Sequence, residues 1–123
     1  MKVLVTDDSK MARKMVIKVL TDILKDNVEI YEAQNGQEAL DLYKEFLPKI
    51  VFMDLTMPTM DGFQALEKIK EFDKNAKVVI ISADIQKLSI DKASQLGAFN
   101  FIKKPIDLAK MEQILNKINE LAK

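Results

Sequence analysis

The sequence predicts a three-layer α/β fold around a parallel five-stranded sheet. Five short runs of apolar and β-branched residues recur along the chain, at residues 3–5, 28–33, 50–53, 78–81 and 99–102. Segments with apolar residues at helical spacing lie between them. The runs begin 21 to 28 residues apart, which leaves room for a crossover helix and is too long for a tight hairpin. Right-handed connections with helices on both faces of the sheet are therefore expected.

The composition of each run predicts its place in the sheet. VLV, IVFM and VVII are uninterrupted and are expected at the centre, whereas VEIYEA alternates and FNFI is interrupted by a polar residue, as is typical of edge strands. Turn residues mark three junctions: Asn35-Gly36 before the second helix, Pro48 after it, and Gly97 as the C-cap of the fourth helix. Three methionines, Met11, Met15 and Met111, fit helix faces and are interpreted as packing residues.

The composition excludes several classes of function. The formal charge is zero, with 19 basic and 19 acidic residues, so the chain has no net positive charge to attract a nucleic-acid backbone or an anionic membrane. The chain has no cysteine and no histidine, which removes thiol chemistry, disulfides, zinc sites of these ligands and Ser-His-Asp catalysis. We expect residues 1–123 to form one domain without an output domain, cytoplasmic and without a signal peptide or membrane span.

Polar residues follow four of the predicted strands: Asp7 and Asp8 follow the first, Asp54 the third, Ser82 the fourth and Lys104 the fifth. In an open parallel sheet the carboxyl ends of the strands lie at one edge, and ligands bind there. If the first and third strands are neighbours, about 5 Å apart, three carboxylates share one pocket. Each close pair repels by about 4 kcal/mol at an effective dielectric constant near 20. A divalent cation relieves that repulsion, and an all-oxygen donor set favours Mg²⁺, with Mn²⁺ as a substitute.

These residues resemble the receiver domain of bacterial two-component response regulators. The resemblance comprises the Asp-Asp pair, the D-x-x-M-P-x-M-D-G stretch that begins at Asp54, the hydroxyl of Ser82 and the Lys104-Pro105 pair. Each motif is weak alone, and their order along nearly the whole chain makes the match specific. The resemblance implies a flavodoxin-like sheet of strand order 2-1-3-4-5 and a cis bond before Pro105. It also implies a signalling switch that catalyses only its own phosphorylation and dephosphorylation, and not an enzyme.

The resemblance gives each site residue a role. Asp54 is the nucleophile that takes a phosphoryl group from a phosphohistidine of a sensor kinase or a histidine phosphotransfer protein. Asp8 is a direct Mg²⁺ ligand and Asp7 acts partly through water, while Asp54 and the backbone carbonyl of Thr56 complete the protein ligands. Lys104 sets its ammonium group against a phosphoryl oxygen.

The resemblance also implies a conformational switch. Ser82 donates its hydroxyl to the phosphoryl group, and Phe101 enters the space that Ser82 vacates, which changes the face of helix 4, strand 5 and helix 5. Phe101 departs from the family pattern because it lacks a tyrosine hydroxyl. Thr6 departs as well, since the family usually has an apolar residue there, and a buried hydroxyl needs a partner. Thr56 and Asp84 are hypothesised to tune the lifetime of the acyl phosphate, with Asp84 orienting the hydrolytic water.

Two outputs and three rival functions stay open. The expected output is chemotaxis-type binding of a monomer to a flagellar motor or similar target, and the alternative is a relay intermediate that passes phosphate to a histidine phosphotransfer protein. An aspartyl-phosphate phosphohydrolase needs D-x-D after the first strand, where this chain has TDDS. A flavin-binding module needs hydroxyls and amides in its first loop to hold a phosphate, whereas the adjacent Asp7 and Asp8 repel a phosphate unless a metal bridges them. A receiver-like domain without phosphorylation is disfavoured by the complete set Asp8, Asp54, Ser82 and Lys104.

Overall fold

The computed structural model describes residues 1–83 and 86–121, without the side chains of residues 120 and 121. Asp84 lies outside the described residues. All five strands are parallel and their order is β2-β1-β3-β4-β5, as predicted. The elements alternate along the chain: β1 (Lys2–Thr6), α1 (Lys10–Leu24), β2 (Glu29–Ala33), α2 (Gly36–Phe46), β3 (Ile50–Met53), α3 (Gly62–Phe72), β4 (Val78–Ser82), α4 (Lys87–Gln95), β5 (Asn100–Lys103) and α5 (Leu108–Leu121).

The burial of the strands confirms which ones are central. Every residue of β3 and β4 is buried, and so is every residue of β1 after its first. The outer strands β2 and β5 are only partly buried. Alternate strand residues feed two apolar clusters, one under α1 and α5 and the other under α2, α3 and α4. Both faces of the sheet are covered, as the three-layer prediction requires.

Local sequence signals set the ends of the helices. The Asn35 side chain accepts a hydrogen bond from a backbone amide in the first turn of α2, and Asp61 forms a capping box at the start of α3. The helix α2 ends at Phe46, its C-cap Leu47 is left-handed, and Pro48 follows as predicted. Gly97 has a φ of 97° directly after the last turn of α4, in the position predicted for it.

Two glycines hold the β3–α3 loop against the rest of the domain. The amide of Gly36 donates to the carbonyl of Met60 at 2.9 Å, and the amide of Gly62 donates to the carbonyl of Leu55 at 2.9 Å. A Cβ on either glycine would collide with this loop. The loop that follows Asp54 is therefore packed closely against the starts of α2 and α3.

One further sequence expectation is met at the start of the β5–α5 loop. The Lys104-Pro105 peptide bond is cis. Among the described residues, no helix combines the length and the apolar character that crossing a bilayer demands.

Candidate functional site

Three carboxylates meet at the carboxyl edge of the sheet, and topology brings them there. The strands β1 and β3 are neighbours, with Thr6 opposite Met53, so the residues that follow each strand emerge side by side. Carboxylate oxygens of Asp7, Asp8 and Asp54 lie within 4.8 Å of one another. Asp7 and Asp54 are buried, whereas Asp8 is exposed. The predicted acidic pocket is therefore present, with one carboxylate at its mouth.

A lysine from the far side of the sheet enters the same pocket. The ammonium of Lys104 lies 2.8 Å from Oδ2 of Asp7 and 3.4 Å from Oδ1 of Asp54. Its backbone amide donates to the carbonyl of Ser82 at 2.9 Å, which ties the start of the β5–α5 loop to the end of β4. Lys103, the residue before Lys104, is exposed.

Burial and neighbouring charges both shift the pKa values of Asp54 and Lys104. Burial raises the pKa of Asp54, the negative charge of Asp7 raises it further, and Lys104 only partly offsets this. Burial alone would lower the pKa of Lys104, but the two carboxylates outweigh it and the pKa is raised. The pocket thus disfavours the ionised form of Asp54 and favours the charged form of Lys104.

The donor set fits Mg²⁺. The pocket offers three carboxylates and one ammonium, which leaves an excess of negative charge in a partly buried place. Carboxylate oxygens are hard ligands, and the chain has no histidine or cysteine to favour a softer metal. Asp7, Asp8 and Asp54 are therefore the side chains that could hold the ion.

The other predicted site residues lie around this pocket. Ser82 is buried at the end of β4. Phe101 is half-buried on the face of the sheet that α2, α3 and α4 cover, opposite Ile80 in the register of β4 and β5. Thr56 is exposed in the loop after β3. Asp84 is outside the described residues, so its place relative to the pocket stays a prediction.

The expectation that Thr6 finds a partner is wrong. Its side chain is 2% exposed, and its hydroxyl has no hydrogen-bond partner among residues 1–83 and 86–121. The flanking positions on β2 and β3 are Ala33 and Met53, which are apolar. The side chains at the flanking positions therefore offer this hydroxyl no acceptor.

An apolar groove beside Lys104 corrects the interpretation of two methionines. Met111 is buried as expected, but Met11 and Met15 are 69% and 50% exposed. The groove measures about 310 Å³ and runs between α1 and the β5–α5 loop. Its lining consists of Ala12, Met15, Val16, Ile81, Lys104, Pro105 and Ile106.

One buried residue at this edge escaped the sequence analysis. Arg13 is 7% exposed and lies on the face of α1 that also buries Val16 and Leu20. A signal was available, because Arg13 occupies the first position of an apolar stripe at helical spacing. Its guanidinium contacts the backbone carbonyl of Asp7 and the carboxylate of Glu32.

A parallel sheet of order 2-1-3-4-5 with an acidic pocket and a lysine at its carboxyl edge defines a flavodoxin-like receiver fold. The family model described as the response regulator receiver domain matches residues 3–116. The chain therefore belongs to the receiver domain family of two-component response regulators, and it is a signalling protein of the CheY-like type.

Relatives of known role resemble nearly the whole chain. The chemotaxis protein CheY of Thermotoga maritima is 39% identical over 97% of this chain and 98% of its own. The chemotaxis protein CheY of Treponema pallidum is 47% identical over 89% of this chain and 76% of its own. A CheX–CheY complex with BeF3 and Mg²⁺ from Borrelia burgdorferi contains a chain with a TM-score of 0.86, 38% identical, covering 95% of this chain and 87% of its own.

Proposed function

We propose that this protein is a phosphoacceptor switch of chemotaxis type. In this proposal Asp54 takes a phosphoryl group from a phosphohistidine of a sensor kinase or a phosphotransfer protein, and the modified protein binds a downstream target. The observation that carries the proposal is the meeting of Asp54 with Asp7, Asp8 and Lys104 in one pocket. Burial of a carboxylate among charged groups from separate strands is costly and adds nothing to packing. A functional role is therefore the better explanation of this arrangement.

The chemistry follows from the charges in the pocket. An oxygen of Asp54 forms a bond to phosphorus while the phosphorus–nitrogen bond of the donor breaks, and the imidazole leaves with the electron pair of that bond. Both reactants are negative, so the attack requires neutralisation of charge and in-line positioning. Lys104, already 3.4 Å from Asp54, is placed to contact a phosphoryl oxygen. When bound by Asp7, Asp8, Asp54 and the Thr56 carbonyl, Mg²⁺ supplies further positive charge there.

The groove beside Lys104 suits the approach of the donor. A phosphohistidine must come within bonding distance of Asp54, so its carrier has to dock next to the pocket. The half-exposed side chain of Met15 lines an apolar groove there, and Met11, which lies one turn earlier on α1, is exposed as well. Flexible methionines are well suited to a contact that must form and break repeatedly.

Weak attachment of α4 supports the proposed output face. Ala93 is the buried residue of this helix, while Leu88 is 82% exposed. Lys92 lies 4.4 Å above the ring of Phe63 and provides one of the contacts that hold α4 to α3. A helix with so little buried apolar surface can repack at low cost. Phosphorylation would bias that repacking through Ser82 and Phe101.

The relatives favour chemotaxis as the pathway. The two CheY proteins named above match most of this chain, and the Borrelia complex holds BeF3 and Mg²⁺ beside a chain of the same fold. We therefore expect Mg²⁺, or Mn²⁺ in its place, to be the cofactor of this chain. We further propose that Asp84 and Thr56 set the lifetime of the acyl phosphate. Asp84→Ala should slow its loss, and an unchanged half-life would reject the role of Asp84.

Acetyl phosphate with Mg²⁺ tests the phosphoacceptor directly. Intact-mass analysis should show the gain of one phosphoryl group in the wild type. Asp54→Asn should abolish the gain, and the matched control Asp61→Asn should keep it, because Asp61 caps α3 and asparagine caps as well. Phosphorylation of Asp54→Asn at the wild-type level would reject the assignment. Continuous turnover of acetyl phosphate without an accumulating adduct would indicate a phosphohydrolase instead.

A further inference from the structure

Arg13 is a buried cation for which the proposed phosphotransfer has no use. A charge on the inner face of a helix is costly unless it is paired and hydrogen-bonded. Nε of Arg13 lies 2.9 Å from Oε1 of Glu32, which is half-exposed on β2. Nη1 donates a hydrogen bond of 2.6 Å to the backbone carbonyl of Asp7. One guanidinium therefore joins α1 to the edge strand and to the acidic loop.

The Asp7 end of the Asp7–Asp8 peptide is held from several directions. The backbone amide of Asp7 donates to the carbonyl of Ala33 at 3.1 Å, and Arg13 takes up the carbonyl on the other side of the same residue. The Asp7 carboxylate accepts hydrogen bonds from the amide of Ser9 at 2.9 Å and from Lys104 at 2.8 Å. Of these bonds, the one from Arg13 is made to the Asp7 carbonyl itself, so the orientation of this carbonyl depends on Arg13.

The Asp8 carboxylate has no such support. It is exposed, and within residues 1–83 and 86–121 it makes no hydrogen bond or ion pair. Because the peptide unit is planar, the direction of the Asp7 carbonyl sets the positions of the Asp8 amide and Cα. The Arg13 contact thereby determines where the Asp8 side chain starts.

We propose that Arg13 is a positioning residue of the metal site, which fixes the Asp7–Asp8 peptide so that the Asp8 carboxylate faces Asp54. The proposal deepens the proposed function and rests on the Mg²⁺ site assumed there. Residues that orient metal ligands from behind are often as important as the ligands themselves, and their loss typically lowers metal affinity by about 10- to 100-fold. Arg13 fits this role because its bond is to the main chain next to a ligand.

Charge and positioning predict opposite effects, which makes the proposal testable. A guanidinium near a cation site repels the cation, so removal of its charge alone should strengthen Mg²⁺ binding. Loss of the bond to the Asp7 carbonyl should weaken binding, because Asp8 then samples orientations that do not face Asp54. Arg13→Met removes both the charge and the bond. Lys14→Met is the matched control, since it removes one charge from the adjacent, exposed position of α1.

The experiment measures metal affinity without phosphorylation. Mn²⁺ binding is followed by electron paramagnetic resonance and competed with Mg²⁺, on variants whose helical content is checked by circular dichroism. Arg13→Met should bind about tenfold more weakly than the wild type. Lys14→Met should bind as tightly as the wild type or slightly more tightly, and Arg13→Lys should fall between Arg13→Met and the wild type. The amide resonances of Asp8 and Ser9 should shift in metal-free Arg13→Met and stay in place in Lys14→Met.

Each outcome has a distinct meaning. Wild-type affinity or tighter binding in folded Arg13→Met overturns the positioning role and leaves the proposed function intact. Absence of metal binding in the wild type overturns the proposed function itself. If Arg13→Met does not fold, the same titration of Arg13→Lys decides, and wild-type affinity in that variant also overturns the role of Arg13.

Discussion

Replacing Thr6 with valine should stabilise the protein. The Thr6 side chain is 2% exposed, its hydroxyl has no partner among the described residues, and its strand neighbours on both sides are apolar. Valine has nearly the same shape and exchanges the hydroxyl for a methyl group. The substitution therefore removes a buried polar group without opening a cavity.

The magnitude follows from the cost of that group. Burial of a hydroxyl without a hydrogen bond costs about 1–3 kcal/mol in protein mutational data. The gain should lie at the lower end of this range, about 1 kcal/mol, because β1 carries the acidic loop and any shift of the strand offsets part of it. For a domain of this size, 1 kcal/mol corresponds to roughly 4 °C in Tm.

Urea unfolding followed by circular dichroism measures the change in the free energy of unfolding, since the chain has no tryptophan. Thr6→Val should raise the midpoint without a change in slope. Thr6→Ser serves as the control, because it keeps the hydroxyl and loses a methyl group, and it should lower stability by about 0.8 kcal/mol. A Thr6→Val protein no more stable than the wild type would refute the reasoning, and would indicate that ordered water satisfies the hydroxyl.

Three further predictions use the same unfolding assay. Asp54→Asn should raise the urea midpoint at pH 7 in the presence of EDTA, because burial and the charge of Asp7 disfavour an ionised Asp54. The same substitution should weaken the stabilisation by Mg²⁺. A lower urea midpoint in EDTA would contradict this. Thr59→Asn should stabilise by about 1 kcal/mol, since Thr59 is β-branched and has a φ of 68°, which asparagine tolerates better; no gain would show that the turn is unstrained. Tyr43→Phe should lose about 1 kcal/mol at pH 7, because the Tyr43 hydroxyl donates to Asp73 at 2.7 Å. The hydrogen bond from Tyr43 lowers the pKa of Asp73 below its ordinary value of 3.8. The contribution of this bond to the free energy of unfolding is therefore present above pH 3.8 and disappears as the pH falls through the lowered pKa of Asp73. The difference between wild type and Tyr43→Phe should shrink in acid, and a constant difference would contradict the assignment.

The strands could be predicted from the sequence because buried strands have a simple apolar pattern. The central runs are apolar at every position, since both of their faces are covered, and all five strands begin within one residue of the predicted start. The acidic pocket could be predicted for a related reason. Polar residues that follow buried strands of a parallel sheet must emerge at one edge, whatever the details of packing.

Other features depend on residues that are distant along the chain. A charged residue on a helix is ordinarily solvated, so Arg13 gave only a weak local signal, and its burial rests on Glu32 and Asp7 from other elements. The unpartnered hydroxyl of Thr6 likewise depends on which residues flank it across two strands. The exposure of Met11 could not be separated from packing by periodicity, because both uses place methionine on a helix face.

For this protein, the amino-acid sequence by itself determined the class of fold, the order of its elements along the chain and the edge where its carboxylates gather, because these follow from local apolar patterns and strand direction. Only the tertiary structure decided that Lys104 bridges Asp7 and Asp54, and that Arg13 supports the acidic loop from behind. Such contacts require distances of about 3 Å between residues far apart in the chain, and those distances are set by how the helices pack on the sheet.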